Sequence, residues 1–275
     1  MKNINSKVAV ITGAGSGIGR ALSLALAKEG AKLALNDWNK NALEETLSLL
    51  PESTEAMGEA FDISDKKAVY DFAQQVASHF GQVDIVVNNA GIAHEQKKAD
   101  AIQYDLYEKV IDVNLWGVIY GTRAFLPHLQ LRPKGGTIVN ISSIFGIVGQ
   151  PLQAPYVISK FGVRGFTETL RNELVNSKVN ITCVHPGGIK TNIINNIDTK
   201  HTGRRDKFAK AFEKMAKTTP EDAAQQIVQA IKKKKRRLLI GRDARMMDLA
   251  ARWFPSIYDK MIYRGIDFDR FAAKD

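Results

Sequence analysis

From Lys7 to Ile240, apolar runs of strand length alternate with amphipathic stretches of helix length, and a glycine-rich turn joins the first run to the first stretch. No other feature constrains the fold as strongly. Lys7 to Thr12 reads as a strand, and Arg20 to Glu29 as a helix stopped by Gly30. Ala31 to Asn36 is a second strand, and Asn39 to Leu50 a helix ended by Pro51. Glu59 to Phe61 follows as a short strand, then a helix over Lys66 to Phe80. Val83 to Asn88 is a fourth strand, its aliphatic residues running together as in a strand buried on both faces. A long helix is expected over Tyr104 to Leu129, a strand over Gly136 to Ser142, and a helix over Pro155 to Val175. Strands over Val179 to His185 and Arg237 to Ile240 complete the pattern. Such alternation specifies parallel βαβ units with right-handed crossovers, and so an α/β, doubly wound parallel sheet of about seven strands flanked by helices. Residues 1–275 read as one domain.

The turn after the first strand is Thr12-Gly13-Ala14-Gly15-Ser16-Gly17-Ile18-Gly19. Glycine allows the tight turn and the approach of backbone N–H groups to a diphosphate, and the N-terminus of the next helix adds partial positive charge. The strict GxGxxG register is not met: Gly13-x-Gly15 leads to Ile18, and Gly15-x-Gly17 to Arg20. The position of the turn, between strand and helix, is what points to a dinucleotide. The second strand runs into Asp37, an acid about 20 residues on that can accept hydrogen bonds from the adenosine ribose. Its carboxylate would repel a 2′-phosphate, and Trp38, not a base, follows it. NAD is therefore expected as cofactor, with NADP not excluded. The plain alternative is that Asp37 caps the next helix.

Tyr156 and Lys160 stand four apart on the helix expected over Pro155 to Val175, and so share a face. A phenol titrates near 10, and a neighbouring cation favours its ionised form, which makes Tyr156 a candidate acid/base. Such a spacing also arises by chance; Ser143, thirteen residues upstream, and the dinucleotide turn give it context.

Taken together, these motifs resemble the classical short-chain dehydrogenase/reductase (SDR) family over nearly the whole chain. The matching pieces are Thr12-Gly13-x-x-x-Gly17-Ile18-Gly19, Asn88-Asn89-Ala90-Gly91, Asn114, Ser143, the Tyr156/Lys160 pair, and Pro186-Gly187 with Thr191. The resemblance implies a Rossmann-type domain and an oxidoreductase in which Tyr156 is acid/base, Lys160 lowers its pKa and binds the nicotinamide ribose, and Ser143 holds the substrate oxygen. Ser142 is the rival for that last role, and the usual family spacing favours Ser143. Asn114 would hold a water beside Lys160; a buried amide bonded to backbone is the alternative. Gly15 and Ser16 fall in the phosphate turn, Asp62 and Ile63 match an adenine contact, and Asn89, Ala90 and Gly91 the segment after the fourth strand. Pro186, Gly187, Ile189 and Thr191 match the carboxamide end. A homodimer or homotetramer is implied by resemblance only.

Residues 192–220 match the family's variable substrate lid, here alternating apolar and basic positions. Ile144, Phe145, Ile147, Val148 and Leu152 would supply an apolar wall and Phe145 a substrate contact, which favours a lipophilic secondary alcohol or ketone. His94 is either a substrate contact or a solvated loop residue. A non-catalytic dinucleotide sensor or scaffold, or an epimerase on the same fold, are the competing functions.

The net charge of +10 is unevenly placed: residues 1–199 hold 19 basic and 19 acidic side chains, and residues 200–275 hold 20 and 10. Lys232 to Arg237 is an unbroken basic run. Residues 241–275 then interleave Arg242, Arg245, Arg252, Lys260 and Arg264 with Met246, Met247, Leu249, Ala250, Trp253, Phe254, Ile257, Tyr258, Met261, Ile262 and Tyr263. A basic amphipathic helix of this kind suits an anionic membrane interface; packing of its apolar face on protein is the alternative. Nucleic acid is not expected, since a charge run without a recognition motif is usually a solvated face. Met1 to Lys7 carries no apolar segment with a small-residue cleavage site, and no run of about 18 apolar residues exists, so a cytoplasmic protein is expected, with peripheral membrane contact at most. The single cysteine, Cys183, reads as a small buried hydrophobe, and no metal site is expected.

Overall fold

The computed structural model describes residues 3–191, 216–266 and 268. Its sheet is seven-stranded and parallel throughout, in the order β3-β2-β1-β4-β5-β6-β7. The strands are β1 (Val8–Thr12), β2 (Lys32–Asp37), β3 (Ala56–Ala60), β4 (Ile85–Asn88), β5 (Thr137–Ile141), β6 (Asn180–Pro186) and β7 (Arg237–Ile240). The helices are α1 (Gly17–Lys28), α2 (Lys40–Ser48), α3 (Lys66–Phe80), α4 (Tyr104–Ile111), α5 (Gly117–Gln130), α6 (Ala154–Glu173), α7 (Pro220–Lys232), α8 (Arg242–Trp253) and α9 (Tyr258–Tyr263).

The two-residue period of a strand sends neighbours to opposite faces, and each face has its own core. Ala9, Ile11, Leu33, Leu35, Ile85 and Val87 pack with Leu22 and Leu26 of α1 and Ile227 and Ile231 of α7. Val8, Val10, Ala34, Val86 and Ile138 pack on the other side with Phe72 of α3 and Phe125 and Leu129 of α5. This explains the unbroken apolar runs: a strand covered by helices on both faces has no polar side to show.

The expected boundaries hold within a few residues except at four places. The third strand lies at Ala56–Ala60, pairing Leu33 with Ala56 and Asp37 with Ala60. It is a half-exposed edge strand containing Gly58, and so lacks the apolar run that marks the central strands. The long helix expected over Tyr104 to Leu129 is interrupted by a π-turn at Asp112–Trp116. Helix α7 was not anticipated, although Thr219 caps it by accepting from the Asp222 N–H (3.1 Å), Pro220 opens it, and Glu221 and Asp222 fill its first turn. The C-terminal segment forms two short helices, not one, with Pro255 between them.

Part of that segment's apolar surface faces protein. Ala244, Met247, Ala251, Tyr258 and Ile262 form a third cluster with Ile144, Ile147 and Val148 from the loop after β5. Arg237 of β7 grips the buried Asp248 through both carboxylate oxygens (3.0 and 2.6 Å), and Arg252 adds a third bond (3.2 Å). Of the expected lid, residues 192–215 lie outside the described residues. Among the described residues no helix is long and apolar enough to cross a membrane.

Candidate active site

The sheet order reverses between β1 and β4, and in an open parallel sheet ligands sit at that reversal, beyond the carboxyl ends of the strands. The expected residues lie on the segments leaving these ends: the glycine turn after β1, Asn89 to Gly91 after β4, Ser143 after β5 and Gly187 to Thr191 after β6.

The glycine turn is held from three sides. Gly13 has φ +67°, and a Cβ there would lie 2.8 Å from the Ala90 Cα; a Cβ on Gly19 would lie 2.0 Å from the Gly13 carbonyl oxygen. Only glycine allows this meeting of turn, helix and β4 segment. Asn89 donates to the Thr12 and Gly13 carbonyls (2.9 and 3.1 Å), and the Thr12 hydroxyl accepts from the Asn89 and Ala90 N–H groups (3.0 and 3.1 Å). The buried Asp37 accepts from the Gly15 N–H (2.8 Å) and the Asn39 N–H (2.9 Å). It is thus not the helix cap, which is Asn39 accepting from Ala42. Arg20, which sequence reasoning passed over, donates to the Gly15 carbonyl (2.6 Å) and pairs with Glu45 (2.6 Å). Ser16 leads into α1 without a side-chain cap, and the first turn of α1 has no acid. Ile18, half-buried, leans on the core beneath that turn.

These features fit a dinucleotide. The first-turn N–H groups of α1 are free of a side-chain cap, the glycines leave the space a side chain would fill, and Asp37 is held at the end of β2. Thr191 reaches the turn from the far side, where its side chain would meet a Cβ on Gly17 at 3.1 Å. Pro186 ends β6, and Ile189 is buried and bridged to Thr218. Asp62 uses its carboxylate locally, accepting from the Ser64 N–H and hydroxyl (2.9 and 2.8 Å), while Ile63 is buried against Gly117.

Tyr156 and Lys160 share one face of α6 as their spacing requires, and the Lys160 Nζ lies 5.6 Å from the centroid of the Tyr156 ring. Lys160 is buried and donates to the Ile141 carbonyl (3.1 Å); burial drives its pKa down to about 8. Burial pushes the Tyr156 phenol up, against a hydrogen bond with Ser143 that pulls it down. The expected depression by Lys160 does not enter that balance. Ser143 accepts from the Phe145 N–H (3.1 Å), which leaves its own proton free to donate. Ser142, the rival, instead donates to the Lys160 carbonyl (2.8 Å) and anchors α6. The buried His185 places Nδ1 3.0 Å from the Ser143 carbonyl, and burial lowers its pKa to about 4, so it stays neutral.

Asn114 lies in the π-turn. Its amide accepts from the Ile92 N–H (2.7 Å) and donates to the Ile92 carbonyl (2.9 Å) and the Ser159 hydroxyl (3.2 Å). These are the bonds of a buried amide tied to backbone. It nevertheless borders Lys160, since a Cβ on Gly91 would meet the Asn114 Oδ1 at 3.1 Å and the Lys160 Nζ at 3.3 Å.

Two expectations about the substrate side change. His94 is buried, not solvated: its Nδ1 bonds the Glu95 carbonyl (2.7 Å), Gln153 donates to its own carbonyl (3.3 Å), and burial lowers its pKa. Ile144, Ile147 and Val148 are packed into the third cluster and do not form a free apolar wall; Phe145 remains half-buried beside Ser143. An open groove of about 1090 Å³ runs between Gly149 and α9. It is lined by Val157 and Ile158 of α6 and not by Tyr156.

A family model described as short chain dehydrogenase matches residues 7–202. A protein of Mycobacterium tuberculosis named SadH is 42% identical over 270 residues, 97% of each chain. The 15-hydroxyprostaglandin dehydrogenase [NAD(+)] of Homo sapiens is 38% identical over 203 residues, 71% of this chain and 73% of its own. Among solved structures, a short chain dehydrogenase/reductase from Burkholderia phymatum in complex with NAD superposes with a TM-score of 0.85 at 28% identity, covering 97% of this chain and 99% of its own.

Proposed function

This chain belongs to the short chain dehydrogenase family, and on that premise we propose that it is an NAD-dependent oxidoreductase of a lipophilic secondary alcohol or ketone, with Tyr156 as acid/base. The observation that carries the reading is the meeting of Ser143, Tyr156 and Lys160 beside a glycine turn shaped for a diphosphate. The relative named 15-hydroxyprostaglandin dehydrogenase [NAD(+)] supports the alcohol, the cofactor and the lipophilic class. The structure solved with NAD supports the cofactor.

Gly13, Gly15, Ser16, Gly17, Ile18 and Gly19 would hold the diphosphate, and Asp37 the adenosine ribose. Asp62 and Ile63 would face the adenine. Asn89, Ala90 and Gly91 would line the middle, with Pro186, Gly187, Ile189 and Thr191 at the carboxamide. Bound NAD supplies the hydride acceptor of oxidation and the donor of reduction. The Tyr156 hydroxyl protonates a carbonyl oxygen, or as phenolate removes the proton of an alcohol. Ser143 donates a hydrogen bond to that oxygen and so positions it. With a pKa of about 8, Lys160 is mostly cationic at neutral pH and would hold the nicotinamide ribose beside Tyr156. Asn114 would keep Lys160 in place and hold a water beside it for proton exchange. Asp37 disfavours the 2′-phosphate of NADP, which comparison of KM for the two cofactors tests. Tyr156→Phe tests the chemistry: turnover should fall by about 10²–10⁴-fold while NAD⁺ affinity remains.

A second reading, contact with an anionic membrane, is favoured by one surface. Met246, Leu249, Trp253, Phe254, Ile257 and Met261 are exposed, with five basic side chains interleaved. A second copy meeting this surface would set like charges against each other; an anionic lipid surface would not. Co-sedimentation with phosphatidylglycerol vesicles that weakens with salt is expected; absence of binding at low salt removes this reading. If vesicles bind, an oligomer has to use another face.

A further inference from the structure

Helices α8 and α9 lie beyond the last strand of the sheet, yet they touch both the segment after β6 and the loop between Ser143 and Tyr156. On the segment after β6, Asp243 in the first turn of α8 accepts from the Gly188 N–H at 2.6 Å. The fit is close: a Cβ on Gly187 would lie 2.3 Å from the Asp243 Oδ2, and one on Gly241 2.3 Å from its Oδ1. On the loop, the Tyr263 hydroxyl at the end of α9 donates to the Gly149 carbonyl (2.7 Å) and lies 3.0 Å from the Gln150 Oε1. Burial keeps this phenol neutral and able to donate.

Neither contact is an isolated surface bond. Ala244, next to Asp243, is fully buried. Asp248, one turn on, is clamped by Arg237 of β7 and by Arg252, and these guanidinium groups outweigh burial to hold its carboxyl below the ordinary value. Between the two pins, Met247, Ala251, Tyr258 and Ile262 pack on Ile144, Ile147 and Val148. The two helices are thus fastened to the sheet at β7 and reach from there to each of these segments.

We propose that α8 and α9 set the active-site geometry, with Asp243 a positioning residue for the Gly187–Gly188 turn and Tyr263 one for the loop between Ser143 and Tyr156. A backbone turn held before a ligand arrives need not be ordered on binding, so affinity is higher than for a free turn. The two pins act on different segments, so they affect different ligands. The cofactor half rests on the NAD reading above; the loop half does not.

The test uses the full chain, with NAD⁺ titrated by calorimetry and backbone amide exchange followed at 144–153 and 186–191. Asp243→Ala should weaken NAD⁺ binding about tenfold, the size of one charge-assisted hydrogen bond, and speed exchange at 186–191. Asp243→Asn, whose amide oxygen can still accept from Gly188, should stay within about twofold of the wild type. Tyr263→Phe keeps the ring and should speed exchange at 144–153 with NAD⁺ affinity unchanged. The proposal is overturned if Asp243→Ala binds as the wild type does, if Asn weakens binding as much as Ala, or if both tighten it, which would mean that charge repulsion dominates. It also fails if Tyr263→Phe leaves exchange at 144–153 unaltered. A wild type that does not bind NAD⁺ would sink the cofactor reading instead, and the exchange measurements would then decide the pins.

Discussion

Replacing Lys160 by Met should make this protein more stable and inactive at once. The Lys160 side chain is 3% exposed, and burial brings its pKa from 10.5 to about 8. At about 1.4 kcal/mol per pH unit, the charged side chain destabilises the fold by roughly 3 kcal/mol at pH 7. Methionine fills similar volume without the charge. Its introduction removes the bond to the Ile141 carbonyl, about 1 kcal/mol, and the cation beside the Tyr156 ring, about 0.5–1 kcal/mol. The net gain is of order 1 kcal/mol, a rise in Tm of about 2 °C for a chain of this size. The sign with pH follows from the lowered value. Between about 8 and 10.5 the unfolded chain holds the proton and the folded chain does not, so wild-type stability rises with pH across that window. The advantage of Lys160→Met should therefore shrink by roughly half or more between pH 7 and pH 9.5. Thermal unfolding of both proteins at the two pH values measures this. A variant less stable than the wild type by the same amount at both pH values would show that the buried charge does not destabilise the fold.

Other substitutions test other parts of the structure. Gly19→Ala should lower both Tm and NAD⁺ affinity: its Cβ would sit 2.0 Å from the Gly13 oxygen, roughly 1.5 Å inside ordinary contact, and calorimetric titration reads the loss. Gly165→Ala in α6 meets nothing within 4 Å and should raise stability by about 0.5–1 kcal/mol in denaturant unfolding. The Asp248 carboxyl is held low, so its stabilisation is present above about pH 4 and is lost as pH falls through the folded value. Asp248→Asn should lower Tm at pH 7, with the deficit narrowing under acid; a deficit independent of pH would refute that assignment.

The sheet was legible because its signals are local. A strand such as Ile85–Asn88, covered on both sides, must be apolar throughout, and Tyr156 and Lys160 must share a helix face. Ser143 and Asn114 were reached through the resemblance, and the fold brings both to that face. What escaped depends on contacts distant in sequence. Nothing in the spacing of Arg20 or Asp243 says that each will meet a glycine turn, at Gly15 or at Gly188. Ile144, Ile147 and Val148 read as a pocket wall because apolarity alone does not distinguish a residue facing substrate from one facing α8 and α9. The bounds of β3 were missed for the opposite reason: an exposed edge carries little apolar signal. Helix α7 carried every local mark of a helix and was obscured by its place between a variable segment and a basic run.

The proposed reaction is proton transfer by Tyr156 coupled to hydride transfer with NAD. The most direct measurement follows NADH absorbance with a panel of lipophilic secondary alcohols and ketones, for the wild type and Tyr156→Phe, with NAD⁺ affinity determined in parallel. Net NAD turnover by the wild type is expected on at least one of these compounds, lost by about 10²–10⁴-fold in the variant at unchanged NAD⁺ affinity. Turnover undiminished in Tyr156→Phe, or a wild type that binds NAD⁺ without net redox turnover of any member of the panel, would contradict it.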